Sequence, residues 1–189
     1  MARLRVLLVD GIAERAAMVA AGLVEAGYEV VAIASDAADL TGRVRDSGAE
    51  VIVCDLDDPG RDALESMRAL NRNEPRPVVL FANRGEPDQI ETALEAGVAA
   101  YVVEGLTPNR VRPVIEVAIR RFRAHQALRE ELETTRATLA ARQAIDAAKA
   151  RLMGKAGLTE TEAYRRLRRM AMDKGIRLAE AARAVLASD

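Results

Sequence analysis

Five short apolar runs constrain the front of this chain more than any other feature: LRVLLV (4–9), EVVAIA (29–34), VIVCD (51–55), PVVLFA (77–82) and AAYVV (99–103). Stretches of helical spacing separate them, at 13–26, 37–47, 61–72 and 87–96, with Gly27 and Gly97 closing the first and the last. In the first of these helices Ala17, Leu23 and Val24 are among the apolar positions. A strand apolar on both faces has to be covered on both, and a parallel sheet flanked by helices provides that cover. Alternating strand and helix patterns therefore predict βα units. Five such strands within residues 1–122 suit an α/β domain of the flavodoxin-like, doubly wound type.

From Arg112 onward the pattern is helical only. Val114, Ile115, Ala118, Ile119 and Phe122 recur at helical spacing and are expected to dock on the sheet domain. Beyond His125 the apolar stripe narrows to Leu128, Leu132, Thr135 and Leu139, a coiled-coil-like seam two heptads long. No Gly or Pro interrupts 114–153, so one long helix is expected, its linking part at 113–141 and its end marked by Gly154 and Gly157. So short a seam is marginal alone and calls for a partner helix, in a homodimer or on another protein.

Residues 130–189 read as a small three-helix module. Thr159 with Glu162 three residues later forms a capping box that opens the middle helix. Rotating 100° per residue puts Ala163, Tyr164, Leu167, Met170 and Ala171 on one face, Tyr164 included as core. Arg165, Arg168, Arg169 and Met172 fall on the other. Asp173-Lys174-Gly175 breaks that helix, and Leu178, Ala181, Ala182 and Val185 mark a third. Ala147, Ala148, Ala163, Ala171 and Ala181 have the small size needed where helices approach closely.

Charge is divided unevenly between the halves. Residues 1–124 hold 15 Lys/Arg and 20 Asp/Glu, whereas 125–189 hold 13 and 9, so a polyanion partner would meet the C-terminal half. Aromatics make up only 3% of the chain, which argues against RNA modules that stack bases on aromatic platforms. The lone Cys54 excludes an internal disulfide and, on an apolar strand, reads as a small core residue. No signal-peptide pattern and no bilayer-length apolar segment is present, so a cytoplasmic protein without membrane association is expected. His125 has no neighbouring ligand cluster, no metal site is assigned, and no nucleotide loop or catalytic triad spacing occurs, so an enzyme is not expected.

The order of strands and helices over residues 4–122 resembles the receiver domains of two-component response regulators. The resemblance makes Asp55, at the end of the third strand with Pro59 four residues on, the phosphoacceptor position. Receiver chemistry also implies magnesium, held by an acidic pair after the first strand, and octahedral oxygen ligands are what that ion requires. Here Asp10 is followed by Gly11 and Ile12. The family's hydroxyl residue aligns with Ala82, and its lysine with Glu104, an anion that would repel a phosphoryl group. Asp57 and Asp58 can add metal affinity but cannot replace the lysine. The expectation is a pseudo-receiver in which Asp55 and Asp10 form a degenerate site, with no cofactor, magnesium entering only if that site is functional. On the plainer reading both aspartates are polar strand ends at the sheet rim.

The C-terminal pattern resembles ANTAR domains, RNA-binding modules that control transcription termination. The resemblance rests on AIDAAKARLM, LTETEAYRRLRRMAM and IRLAEAA in order, with Ala150 where that family usually has glycine. Across the chain the likeness is to NasT-type antiterminators of nitrate and nitrite assimilation, which implies a leader RNA with two adjacent hexaloop hairpins as target. It also implies a NasS-type nitrate or nitrite sensor that sequesters the regulator. On the residues themselves, Arg165, Arg168 and Arg169 share a face able to straddle phosphates or clamp a loop base, with Lys149, Lys155, Arg166 and Arg177 widening it. The plainer reading is a solvated bundle surface. Two further readings stay open at this point, a phosphorylation-activated ANTAR regulator and a DNA-binding response regulator. Met172 within the basic face is left between contact to a loop base and contact to another subunit.

Overall fold

The computed structural model describes residues 3–56, 59–103 and 108–188. The first compact unit, Met1–His125, is built on five strands: β1 (Arg5–Asp10), β2 (Glu29–Ala34), β3 (Val51–Asp55), β4 (Val78–Ala82) and β5 (Ala100–Val103). All pairings are parallel and the order is β2-β1-β3-β4-β5, a doubly wound, flavodoxin-like sheet. Helices α1 (Ala13–Glu25), α2 (Leu40–Ser47), α3 (Arg61–Asn73) and α4 (Pro87–Glu95) alternate with the strands, and α5 (Pro108–Ala156) follows β5.

Because strand side chains alternate, the sheet feeds two cores. Leu7, Val9, Ile52, Cys54 and Leu80 pack with Leu40, Val44, Met67, Leu70 and Ala93 from α2, α3 and α4. Val6, Leu8, Val53, Val79 and Phe81 pack with Ala16, Val19 and Leu23 of α1 and Val111, Ile115 and Ala118 of α5. Burying each such side chain contributes roughly 2 kcal/mol, so the paired cores fix the register of every strand. That register sets Asp10 opposite Asp55 at the C-terminal edge of the sheet.

One expectation is corrected within this unit. The second helix starts at Leu40 rather than 37, because Asp36 accepts from the Ala38 amide at 2.9 Å and Asp39, at φ 42°, caps the Gly42 amide at 3.0 Å. Short carboxylates thus take main-chain donors that a longer helix would use. On α1, Leu23 is buried, whereas Ala17 and Val24 face solvent, since the core face is Ala16, Val19, Gly22 and Leu23.

The second unit, Gln126–Asp189, takes the rest of α5 with α6 (Glu160–Lys174) and α7 (Leu178–Ala187). Helix α5 runs through Gly154 and stops at Ala156, so only Gly157, at φ 63°, acts as the breaker. Ala148, Leu167, Ala182 and Val185 form the small core, joined by Ile145, Leu152, Met170 and Leu178. Ala163, Ala171 and Ala181 are buried beside it, but Ala147 is exposed and does not pack. Leu128, Leu132 and Leu139 on α5 are 64%, 46% and 56% exposed.

Candidate functional site

Helix α6 is anchored at both ends. Thr159 Oγ1 accepts from the Glu162 amide, and Glu162 Oε2 accepts in return from the Thr159 amide at 2.9 Å and hydroxyl at 2.7 Å. The Thr159 amide, its hydroxyl and then Arg165 hold the Glu162 carboxyl below its ordinary range. At the other end Gly175, at φ 62°, lets the chain leave the helix. Ala163, Leu167 and Ala171 are buried and Met170 is half-buried against the core, so the other positions of the helix are turned to solvent.

Arg165, Arg166, Arg168 and Arg169 are all exposed, and among the described residues none of them makes a hydrogen bond or an ion pair. Three of them, Arg165, Arg166 and Arg169, line a groove of about 420 Å³ with Leu158 and Met170 as apolar lining and Glu162 and Asp173 as acids. Met172 is 72% exposed beside them. Tyr164 is a correction: at 44% exposed it lies outside the core, because it flanks rather than faces the stripe set by Ala163, Leu167 and Ala171. An aromatic ring thereby joins the outer surface of α6.

The remaining sequence-predicted cations divide. Lys155 and Arg177 are exposed, Arg177 at the N-cap of α7 with its amide donating to Glu180 Oε2 at 3.4 Å. Lys149 does not extend the basic face as expected. Its ammonium lies 2.8 Å from Asp146 Oδ1 and 2.9 Å from Glu160 Oε1, and only 17% of its side chain is exposed. Those two carboxylates raise its pKa. Arg151, which the sequence reading passed over, donates to the main-chain carbonyls of Leu186, at 3.0 Å, and Ser188. No local pattern signals a contact whose acceptors are main-chain oxygens 35 and 37 residues away.

At the strand ends of the first unit, Asp10 and Asp55 are 2% and 3% exposed, so they are buried groups and not rim residues. Arg15 lies between them. Its Nε and Nη2 each contact an Asp10 oxygen at 2.9 Å, Nη2 donates to the Asp55 carbonyl at 3.2 Å, and Nε is 3.5 Å from Asp55 Oδ2. The sequence reading missed Arg15. The signal available was a cation in the first turn of a helix, where the dipole disfavours it.

Ala82, buried at the end of β4, brings no hydroxyl to this place. Asp57, Asp58 and Glu104 lie outside the described residues. Burial, and secondarily Asp55, pushes the Cys54 thiol up to about 12, so it is no nucleophile. Among the described residues no group of three His, Cys, Asp or Glu side chains is placed to hold a metal ion. Two carboxylates already bridged by a guanidinium, with both Asp10 oxygens taken, do not offer magnesium the open oxygen ligands its octahedral geometry demands.

Comparison with known proteins follows this division. Residues 6–116 match the response regulator receiver domain family, and residues 133–186 match the ANTAR domain family. The transcriptional regulatory protein PdtaR of Mycobacterium tuberculosis (strain ATCC 25618 / H37Rv) is 30% identical over 162 residues, which cover 86% of this chain and 79% of that protein. Chemotaxis protein CheY1 of Helicobacter pylori (strain J99) is 27% identical over 120 residues, 61% of this chain and 97% of that one. Among solved structures, a LuxR-family two-component response regulator from Aurantimonas sp. SI85-9A1 superposes with a TM-score of 0.54 at 26% identity, covering 62% of this chain and 86% of the other. CheY4 of Vibrio cholerae gives 0.54 at 21% identity over 62% of this chain and 99% of its own, a likeness of fold alone.

Proposed function

This chain belongs to the response regulators that carry an ANTAR domain behind a receiver domain, and from that premise we propose that it is an RNA-binding transcription antiterminator. It is a regulator and not an enzyme, as both families consist of non-enzymatic regulators. The observation that carries the proposal is the set of four exposed arginines on α6, none of their side chains held by a partner among the described residues. A guanidinium suits phosphate oxygens in its plane and a base on its face, and RNA loops offer both together. The groove between Leu158, Met170 and Arg165, Arg166 and Arg169 has an apolar lining for an unstacked base and cations for the flanking phosphates. Lys155, Arg168 and Arg177 widen the surface, Met172 and Tyr164 add apolar contact, and Lys149 serves the fold instead.

In its finer form, the target is a leader RNA with tandem hexaloop hairpins upstream of nitrate or nitrite assimilation genes, and a NasS-type sensor sequesters the regulator until the anion arrives. The exposed seam of Leu128, Leu132 and Leu139 pairs with a second copy of this chain. The receiver unit acts as the docking part in the cytoplasm. Among the described residues no helix is long and apolar enough to cross a membrane.

Competition between labelled tandem-hairpin RNA and duplex DNA at one fixed salt concentration tests the reading. Both ligands attract the protein through their phosphates, so only a preference at equal ionic strength is informative. Retention of the hairpin RNA against excess duplex, with readthrough of a leader terminator in a transcription assay, is the expected result. Equal displacement by DNA would return the DNA-binding alternative.

A further inference from the structure

The geometry points to Arg15 as the resident cation of the receiver site, standing where a receiver takes its divalent metal ion. The proposal concerns the first unit alone and holds or fails independently of what the second unit binds. Parallel pairing sets Asp10 and Asp55 opposite one another at the sheet edge, and both side chains are almost wholly buried. Two buried carboxylates at this spacing repel each other unless a positive charge lies between them. A divalent ion is one solution. Here the guanidinium of Arg15 supplies the charge, with a two-pronged contact to Asp10 at 2.9 Å on both oxygens and an approach to Asp55 Oδ2 at 3.5 Å.

The local chain is arranged around this contact. Asp10 Oδ1 also accepts from the Ile12 amide at 2.8 Å, so its carboxylate is oriented before α1 begins. Arg15 then lies in the first turn of α1, where a cation opposes the helix dipole, and the two aspartates offset that penalty. The same guanidinium donates to the Asp55 carbonyl at 3.2 Å, which ties the end of β3 to α1. Among the described residues the site sets one guanidinium against two carboxyl groups. A divalent ion entering it meets a guanidinium that already holds both Asp10 oxygens and has to leave first.

It follows that in this receiver the metal position is filled by the side chain of Arg15. Its influence on the rest of the chain runs through protein contact and not through magnesium-dependent phosphorylation of Asp55.

The test titrates the full chain with manganese(II), following the free ion by electron paramagnetic resonance, with an Asp10→Asn/Asp55→Asn chain as background. The wild-type chain is expected to match the background. Arg15→Met is expected to gain a single site at least about tenfold tighter, and adding Asp55→Asn is expected to abolish it. A wild-type chain that binds manganese more tightly than the background overturns the proposal, as does a folded Arg15→Met chain that binds no better than wild type. Where methionine unfolds the chain, Arg15→Gln, polar and nearly as long, is read in the same way. A second measurement needs no variant. Magnesium with beryllofluoride is expected to leave the wild-type melting temperature unchanged, and a magnesium-dependent rise overturns the proposal.

Discussion

The guanidinium of Arg151 donates to the main-chain carbonyl of Leu186 at 3.0 Å, so a side chain near the end of α5 caps the last turn of α7. It also reaches the Ser188 carbonyl, satisfying oxygens that a helix end leaves without partners. Arg151→Ala is expected to destabilise the second unit by about 1–2 kcal/mol. Hydrogen exchange of the full chain reads this as faster exchange of α7 amides with the sheet strands unchanged. Unaltered α7 protection would refute the capping role.

Leu167 is wholly buried and is the largest side chain in the core shared with Ala148, Ala182 and Val185. Its alanine neighbours cannot close a void. Leu167→Ala is therefore expected to cost about 3 kcal/mol, enough to unfold a small three-helix unit in much of the population. Circular dichroism during urea titration follows the loss, which should leave the first unit's transition in place.

Charge reversal separates RNA contact from mere solubility. Arg168→Glu with Arg169→Glu is expected to leave the fold and melting temperature unchanged, since neither side chain is paired among the described residues. Hairpin affinity should fall by roughly a hundredfold, and the salt dependence of what remains should become shallower. Normal binding by this folded variant would sink the assignment of α6 as the RNA-contacting surface.

The capping box introduces a pH dependence. The Thr159 amide, the largest influence, lowers the Glu162 pKa from 4.5, so the folded state holds that proton less tightly than the unfolded chain. Asp146 is lowered likewise, chiefly by its hydrogen bond from Lys149. Stability from both groups is complete above their unfolded values and is lost as pH falls through the depressed folded ones. Urea midpoints of the second unit should therefore drop on acidification below pH 4.5, and Thr159→Val should flatten that dependence.

The apolar seam on α5 carries a separate expectation. Leu132→Lys with Leu139→Lys should convert a dimer to a monomer in sedimentation experiments, because lysines at these positions meet like charges across a two-stranded seam. Both leucines are already exposed, so helix content should stay the same. A chain that is monomeric before the substitutions would count against the homodimer.

The fold was legible because its signals are local. VIVCD and PVVLFA are apolar on both faces, and a strand of that kind has few alternatives to the interior of a parallel sheet. Thr159 and Glu162 announce the start of α6, and Gly175 its end, through contacts within a turn. Periodicity was less reliable at the edges of faces. Tyr164 and Ala147 lie near the apolar stripes of their helices yet are exposed, since a helical wheel shows direction and not the width of the neighbouring helix.

The charged residues mark the boundary between the two kinds of knowledge. By itself the sequence determined a parallel βα domain, a long helix and a basic helical module, because backbone geometry converts spacing directly into strands, faces and caps. It also placed Asp10 and Asp55 at strand ends. Only the tertiary structure decided what each cation does: Arg15 bridges two buried aspartates, Lys149 pairs with Asp146 and Glu160, Arg151 caps α7, and the arginines of α6 stay outward. Arginine and lysine carry the same charge in every setting. Their roles depend on which oxygens lie within a few ångströms, and the packing of distant segments sets that distance.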